Sequence, residues 1–148
     1  MKILMVCLGN ICRSPLAQGI LEAKAQKLGI NWEIDSCGTG SWHIGEAPDK
    51  RSIKVASENG LDITGQRARQ LSKEDFDRFD LILAMDSQNY RDILDKGGAG
   101  IADKVEIILN YLHPGENRSV PDPYLGGGFE HVYDLLDKAC EKIIKTYK

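Results

Sequence analysis

Apolar residues fall along this chain in two kinds of run. Residues 2–6, 79–85 and 105–109 are nearly unbroken apolar stretches, which is how strands buried on both faces of a parallel sheet read. Between them, apolar positions recur at helical spacing. Leu16, Ile20, Leu21, Ala25 and Leu28 form one such series, with Pro15 placed as its first helical residue and Gly29 ending it. Asp49 caps a second helix carrying Ile53, Val55 and Ala56 and stopping at Asn59-Gly60, and Ser72 with Asp75 three positions on opens a short third. A helix over 87–94 and a long amphipathic one over 129–147, with Val132, Leu135, Leu136, Ala139 and Ile143 on its apolar face, complete the set. Trp32-Glu33-Ile34 adds a short strand, followed by a loop of small residues over 36–41, and the glycine-rich stretches 97–100 and 126–128 read as flexible connections. Alternating strands and helices predict an α/β fold, a single domain over residues 1–148 with no repeat or dividing linker.

Composition narrows the function. Nineteen Lys and Arg against 22 Asp and Glu give a net charge of -3, so no global positive field exists to hold a nucleic acid or an anionic membrane, and any anion site must be local. No apolar run approaches the roughly 20 residues a bilayer requires, and the opening residues lack a signal-peptide pattern, so a cytoplasmic protein is expected. Four cysteines, Cys7, Cys12, Cys37 and Cys140, are too few and too irregular for a disulfide scaffold, which makes a reactive thiol the alternative. With no C-x2-C pair, and with His43, His113 and His131 scattered, neither a metal nor a cofactor is expected.

The candidate chemistry lies in Cys7-Leu8-Gly9-Asn10-Ile11-Cys12-Arg13-Ser14, between the first strand and the first helix. Ligands of open α/β folds bind at that edge, where loop N–H groups form a nest and the helix N-terminus adds partial positive charge. Phosphate is the natural guest. The loop is not a nucleotide loop, because G-x-x-x-x-G-K-[ST] and its lysine are missing. With five residues between them, Cys7 and Arg13 can address one phosphoryl group, the sulfur in line and the guanidinium fork across two oxygens. A thiol beside an arginine at a helix N-terminus is a strong nucleophile, Ser14 can donate to its sulfur, and Arg13 with the loop amides can meet transition-state charge. Displacing a phenoxide also needs a proton donor. Asp122 in Pro121-Asp122-Pro123-Tyr124 supplies a carboxylate on a loop stiffened by two prolines; alone it signals a turn, and its functional weight comes from pairing with the Cys7 loop.

V-C-L-G-N-I-C-R-S-P at residues 6–15, with D-P-Y at 122–124, resembles the low-molecular-weight protein tyrosine phosphatases. The resemblance extends to Asp35-Ser36, Trp42-His43-Ile44-Gly45, Ala68-Arg69-Gln70 and Ala84-Met85-Asp86. It implies a four-stranded parallel sheet flanked by helices, and hydrolysis through a phospho-cysteine. It further implies Cys7 as nucleophile, Arg13 and the loop residues Leu8 through Ser14 as phosphate binders, and Asp122 as general acid and base. Asn10 and Ser36 match residues that hold the loop's shape, Trp42 and Tyr124 the aromatic walls of the cleft, and Leu8 and Ile11 its variable lining. The expected partners are tyrosine-phosphorylated proteins, met by a monomer or weak homodimer. Two departures stand out: Gln66 replaces a histidine of the loop-supporting network, which is expected to loosen it, and Leu125 replaces a second aromatic after Asp-Pro-Tyr, which is expected to reshape peptide preference. Ile11, where arginine-phosphate phosphatases of the superfamily carry Thr, disfavours that branch. Residues 85–94 contain no cysteine, which disfavours the arsenate reductases that share the fold, and a bare redox switch or binding module would not need nucleophile and acid together.

Overall fold

The computed structural model describes residues 1–148. Its elements run β1 (Lys2–Cys7), α1 (Arg13–Lys27), β2 (Glu33–Gly38), α2 (Lys50–Glu58), α3 (Asp75–Arg78), β3 (Leu81–Ala84), α4 (Ser87–Gly97), β4 (Val105–Ile107) and α5 (Phe129–Tyr147), with 3-10 turns at Ala99–Lys104 and Ile108–Tyr111. The four strands are all parallel in the order β2-β1-β3-β4. From β1 the chain turns first to one side, building β2, and then crosses to the other, building β3. The C-terminal end of β1 is therefore the point where strand order reverses, and a crevice opens there.

Alternation along β1 divides the core. Ile3, Met5 and Cys7 face the larger cluster, shared with Leu16, Ile20 and Leu21 of α1 and Leu136, Ala139 and Ile143 of α5. Leu4 and Val6 face the smaller one, with Phe76, Phe79 and Ile93. Both faces are covered, as parallel strands require.

Several boundaries differ from the sequence reading. β2 does not end at Ile34 but continues through Ser36-Cys37-Gly38, in register with Met5, Val6 and Cys7. Small residues there reflect crowding, not a loop: a Cβ on Gly38 would stand 2.7 Å from the Leu8 carbonyl oxygen. α1 starts at Arg13, two residues before Pro15, because first-turn N–H groups need no intrahelical acceptor and proline is tolerated there. α4 runs on to Gly97, and the glycine-rich connection after it closes into a 3-10 turn. α5 matches its predicted span.

Candidate active site

The loop from Leu8 to Cys12 joins β1 to α1 at the crevice. The carbonyls of Leu8, Ile11 and Cys12 are engaged: Gly40 N donates to Leu8 O at 2.9 Å and Asp49 N to Ile11 O at 2.8 Å. Ser52 Oγ donates to Cys12 O at 3.3 Å. By contrast the N–H groups of Leu8, Gly9, Ile11 and Cys12 donate to no protein acceptor, while Asn10 N donates to Cys7 Sγ at 3.3 Å. A ring of unpaired donors above the first turn of α1 is an anion site.

Asn10 fixes that shape. It adopts φ 57°, a left-handed conformation asparagine tolerates better than most residues. Arg69 N donates to its Oδ1 at 3.0 Å, which settles the amide orientation. Asn10 Nδ2 then donates to Ser14 Oγ at 2.8 Å and to Ser36 Oγ at 3.0 Å. Ser36, its lone pair occupied, donates onward to Gln18 Oε1 at 2.6 Å. Ser14 is left with its own hydrogen to give, and the Cys7 sulfur at 3.0 Å is nearer than the Cys37 carbonyl at 3.4 Å. One branch of donors, from Arg69 N through Asn10 to Ser14, thus ends on the sulfur, while the Ser36–Gln18 branch leads away from it and holds Asn10 in place. Gln66 is not part of it: its Nε2 donates to Pro15 O at 3.0 Å and its Oε1 has no partner. Gln18 fills the place beside Ser36.

Arg13 is only 3% exposed and is held by one nitrogen. Its Nη1 donates to Asp86 Oδ2 at 2.7 Å and to Val120 O at 3.0 Å. No hydrogen bond engages the Nε–Nη2 edge, the edge that grips an oxyanion in bidentate fashion. Asp86 has a second duty: its Oδ1 accepts from Asn89 N at 2.7 Å and caps α4. The Asp122 loop approaches from the far side, beginning where Val120 N donates to Met85 O at the end of β3. Asp122 Oδ2 lies 3.7 Å from Arg13 Nη2, and its Oδ1 accepts from Tyr124 N at 3.1 Å. Arg51 pins this loop, donating to Tyr124 O at 2.9 Å while chelating Asp49.

Between these elements lies a pocket of about 410 Å³. Cys7, Leu8, Gly9, Ile11, Cys12, Arg13 and Asp122 line it together with Trp42, Tyr124 and His43. Asn10, Ser14 and Ser36 lie behind the loop. Trp42 is 70% exposed and Tyr124 45%, an unfavourable placement for large rings unless they flank a ligand. His43 meets the Tyr124 ring edge-on at 6.1 Å and Glu46 Oε2 at 3.0 Å. Leu125 is 95% exposed and lies outside the pocket lining. Asp86, Gln18, Arg69, Arg51 and His43 carried no role in the sequence reading. His43, Arg69 and Asp86 fall within the stretches of resemblance, and Asp86 left a further signal, an acidic residue directly after a buried strand that doubles as a helix cap.

A thiol at the bottom of an N–H nest, a guanidinium with its gripping edge open and a carboxyl group above them define a class: α/β proteins built for phosphoryl transfer to cysteine. Residues 2–148 match the family model of the low molecular weight phosphotyrosine protein phosphatases. The chain is 50% identical over 151 residues to slr0328 of Synechocystis sp., which carries that family's name, covering 99% of this chain and 96% of the relative. The Schizosaccharomyces pombe low molecular weight phosphotyrosine protein phosphatase is 43% identical, covering 98% and 96%. Among solved structures, YfkJ from Bacillus subtilis superposes with a TM-score of 0.94 at 37% identity, covering 99% of this chain and 93% of that one. This chain belongs to the low molecular weight phosphotyrosine protein phosphatase family.

Proposed function

We propose that this single domain hydrolyses phosphotyrosine in proteins through a phospho-cysteine on Cys7. The Cys7 thiolate attacks phosphorus in line with the scissile bond while the Nε–Nη2 edge of Arg13 and the loop amides hold the equatorial oxygens. As the P–O bond to the phenol breaks, Asp122 passes its proton to the departing oxygen. In the second step the Asp122 carboxylate takes a proton from water, the water oxygen bonds to phosphorus, and the S–P bond breaks to return a thiolate that accepts from Ser14. Inorganic phosphate leaves and every proton is accounted for. The observation that carries this reading is the set of donors gathered around Cys7: loop N–H groups with no protein acceptor, a guanidinium edge of Arg13 engaged in no hydrogen bond, and the Ser14 hydroxyl on the sulfur itself.

Substrate choice follows from the walls. A phenyl ring between Trp42 and Tyr124 gains roughly 0.5–1.5 kcal/mol of aromatic contact that a phosphoserine methylene cannot make. An arsenate-reducing cycle would need thiols after β3, and none of the other cysteines lies there: Cys12 belongs to the phosphate loop, and Cys37 and Cys140 are buried in the core. Four free thiols also fit a reducing, cytoplasmic setting. The test is kcat/KM on phosphotyrosine and phosphoserine versions of one peptide, with chelator present. A preference of roughly two- to tenfold for phosphotyrosine is expected from that contact alone; equal values would leave a phosphatase of other specificity.

A further inference from the structure

A second groove, of about 450 Å³, lies directly across Leu8 and Trp42 from the pocket above Cys7. The two depressions share those side chains as a common ridge. The indole lies against the backbone at Gly40, where a Cβ would stand 1.9 Å from a ring carbon, and most of its surface is exposed. A peptide whose phosphorylated ring fills the first pocket must lay its neighbouring residues over or beside this ridge.

The groove's chemistry is one-sided. Asp92 and Asp95, three residues apart on α4, line it with a single cation, Lys96. Asp95 has neither an ion-pair nor a hydrogen-bond partner, and Asp92 accepts only from Gln88 Nε2 at 2.9 Å. Asp92 sits at the middle of α4, and Asp95 occupies its last turn, where the carbonyl end of the helix adds further negative potential. An unpaired acid in that position is unfavourable in the free protein and becomes favourable when a cation arrives. Leu71 and Trp42 offer apolar surface for an aliphatic stem, and the indole face is suited to a guanidinium. Thr39, whose buried Oγ1 has no partner within the chain, lines the same groove.

We propose that this groove is a recognition subsite for a lysine or arginine close to the phosphotyrosine of a peptide substrate. The proposal rests on the phosphotyrosine reading above and adds which phosphopeptides the site selects. It is tested with peptides carrying Arg, Ala or Glu at each of the three positions on either side of phosphotyrosine. Parent protein and the double variant Asp92→Asn, Asp95→Asn are compared, with p-nitrophenyl phosphate as a substrate that cannot reach the groove. On one flank the parent should hydrolyse the Arg peptide roughly three- to tenfold more efficiently than the Glu peptide, more so at low salt. The double variant should lose that discrimination and keep its p-nitrophenyl phosphate rate. Equal rates on Arg and Glu peptides, a preference that survives the double substitution, or an equal fall on every substrate would each overturn the subsite. A parent inactive on p-nitrophenyl phosphate would instead bring down the phosphatase reading, and the subsite with it.

Discussion

At the scale of single residues, the four thiols are set apart by their surroundings. Burial, reinforced by Asp49, pushes the Cys12 thiol up to about 12, and burial pushes Cys37 and Cys140 upward as well. None of the three is an effective nucleophile at neutral pH, whereas Cys7 Sγ faces two donors at the bottom of an open pocket. Iodoacetate at neutral pH should therefore add a single carboxymethyl group, located on Cys7 by peptide mass, with activity lost in proportion. Labelling of Cys12 at a similar rate would contradict this. Asp86 allows its two duties to be separated. Asp86→Asn keeps an oxygen to cap α4 but loses the charge that anchors Arg13, so Tm should stay near the parent's while kcat falls by about tenfold or more. Asp86→Ala should lose both, with about 1 kcal/mol of stability gone as well. If the Asn variant kept its rate and the Ala variant lost stability but not rate, Asp86 would be a helix cap and nothing else. Cys7, Arg13 and Ser14 were legible in the sequence because they fall within eight consecutive positions between a strand and a helix. Gln18 was not, because it reaches Ser36 only once α1 and β2 are packed.

At the scale of elements, the segment around Arg69 carries more of the site than its sequence suggests. Arg69 N holds Asn10, Arg69 O accepts from Gly38 N at 2.9 Å, and Ala68 pairs with Gly45 and Glu46 on the loop that bears Trp42. The segment thus straps the phosphate loop, the end of β2 and the aromatic wall together. Its side-chain anchor is the Arg69 guanidinium, which reaches Asp35 Oδ2 at 3.0 Å and both oxygens of Asp75 at 3.0 Å. Burial raises the Asp75 carboxyl, but the bonds from Arg69 and Ser72 outweigh it and leave the group below its ordinary value. A depressed carboxyl stabilises the fold above the unfolded-state value of about 4 and loses that contribution as pH falls through its lower native value. Asp75→Asn should accordingly lower Tm most at neutral pH, and the gap to the parent should close as the medium is acidified below about pH 4. A gap independent of pH would mean that Asp75 acts by shape and not by charge. Hydrophobic periodicity revealed the strands and helices, since each buries a face. It said nothing of this strap, which holds by backbone bonds to distant segments and by the ion pairs of Arg69. The misplaced end of β2 has the same origin: Ser36, Cys37 and Gly38 look like loop residues until the crowding beneath Leu8 is known.

At the scale of the whole molecule, the parallel sheet brings to one edge groups that are far apart along the chain. Arg13 is bonded to a carbonyl 107 residues away, and Asp86 arrives at the end of a third strand. This placement follows from strand order: β1 lies inside the sheet, its C-terminal end faces the crevice, and the loops after β1 and β2 and the Asp122 loop all open onto it. The chemistry assigned to the crevice needs two half-reactions that share one sulfur and one carboxyl group, and they can be separated. A p-nitrophenolate leaving group needs little protonation, so Asp122→Asn should leave phosphorylation of Cys7 fast while slowing attack by water. The most direct measurement is therefore rapid mixing of the Asp122→Asn protein with p-nitrophenyl phosphate, following nitrophenolate release and mapping phosphate by mass after acid quench. A burst approaching one equivalent per chain is expected, followed by slow turnover, with the phosphoryl group on Cys7. A linear release with no phosphorylated Cys7, in a protein that still turns over, would contradict it.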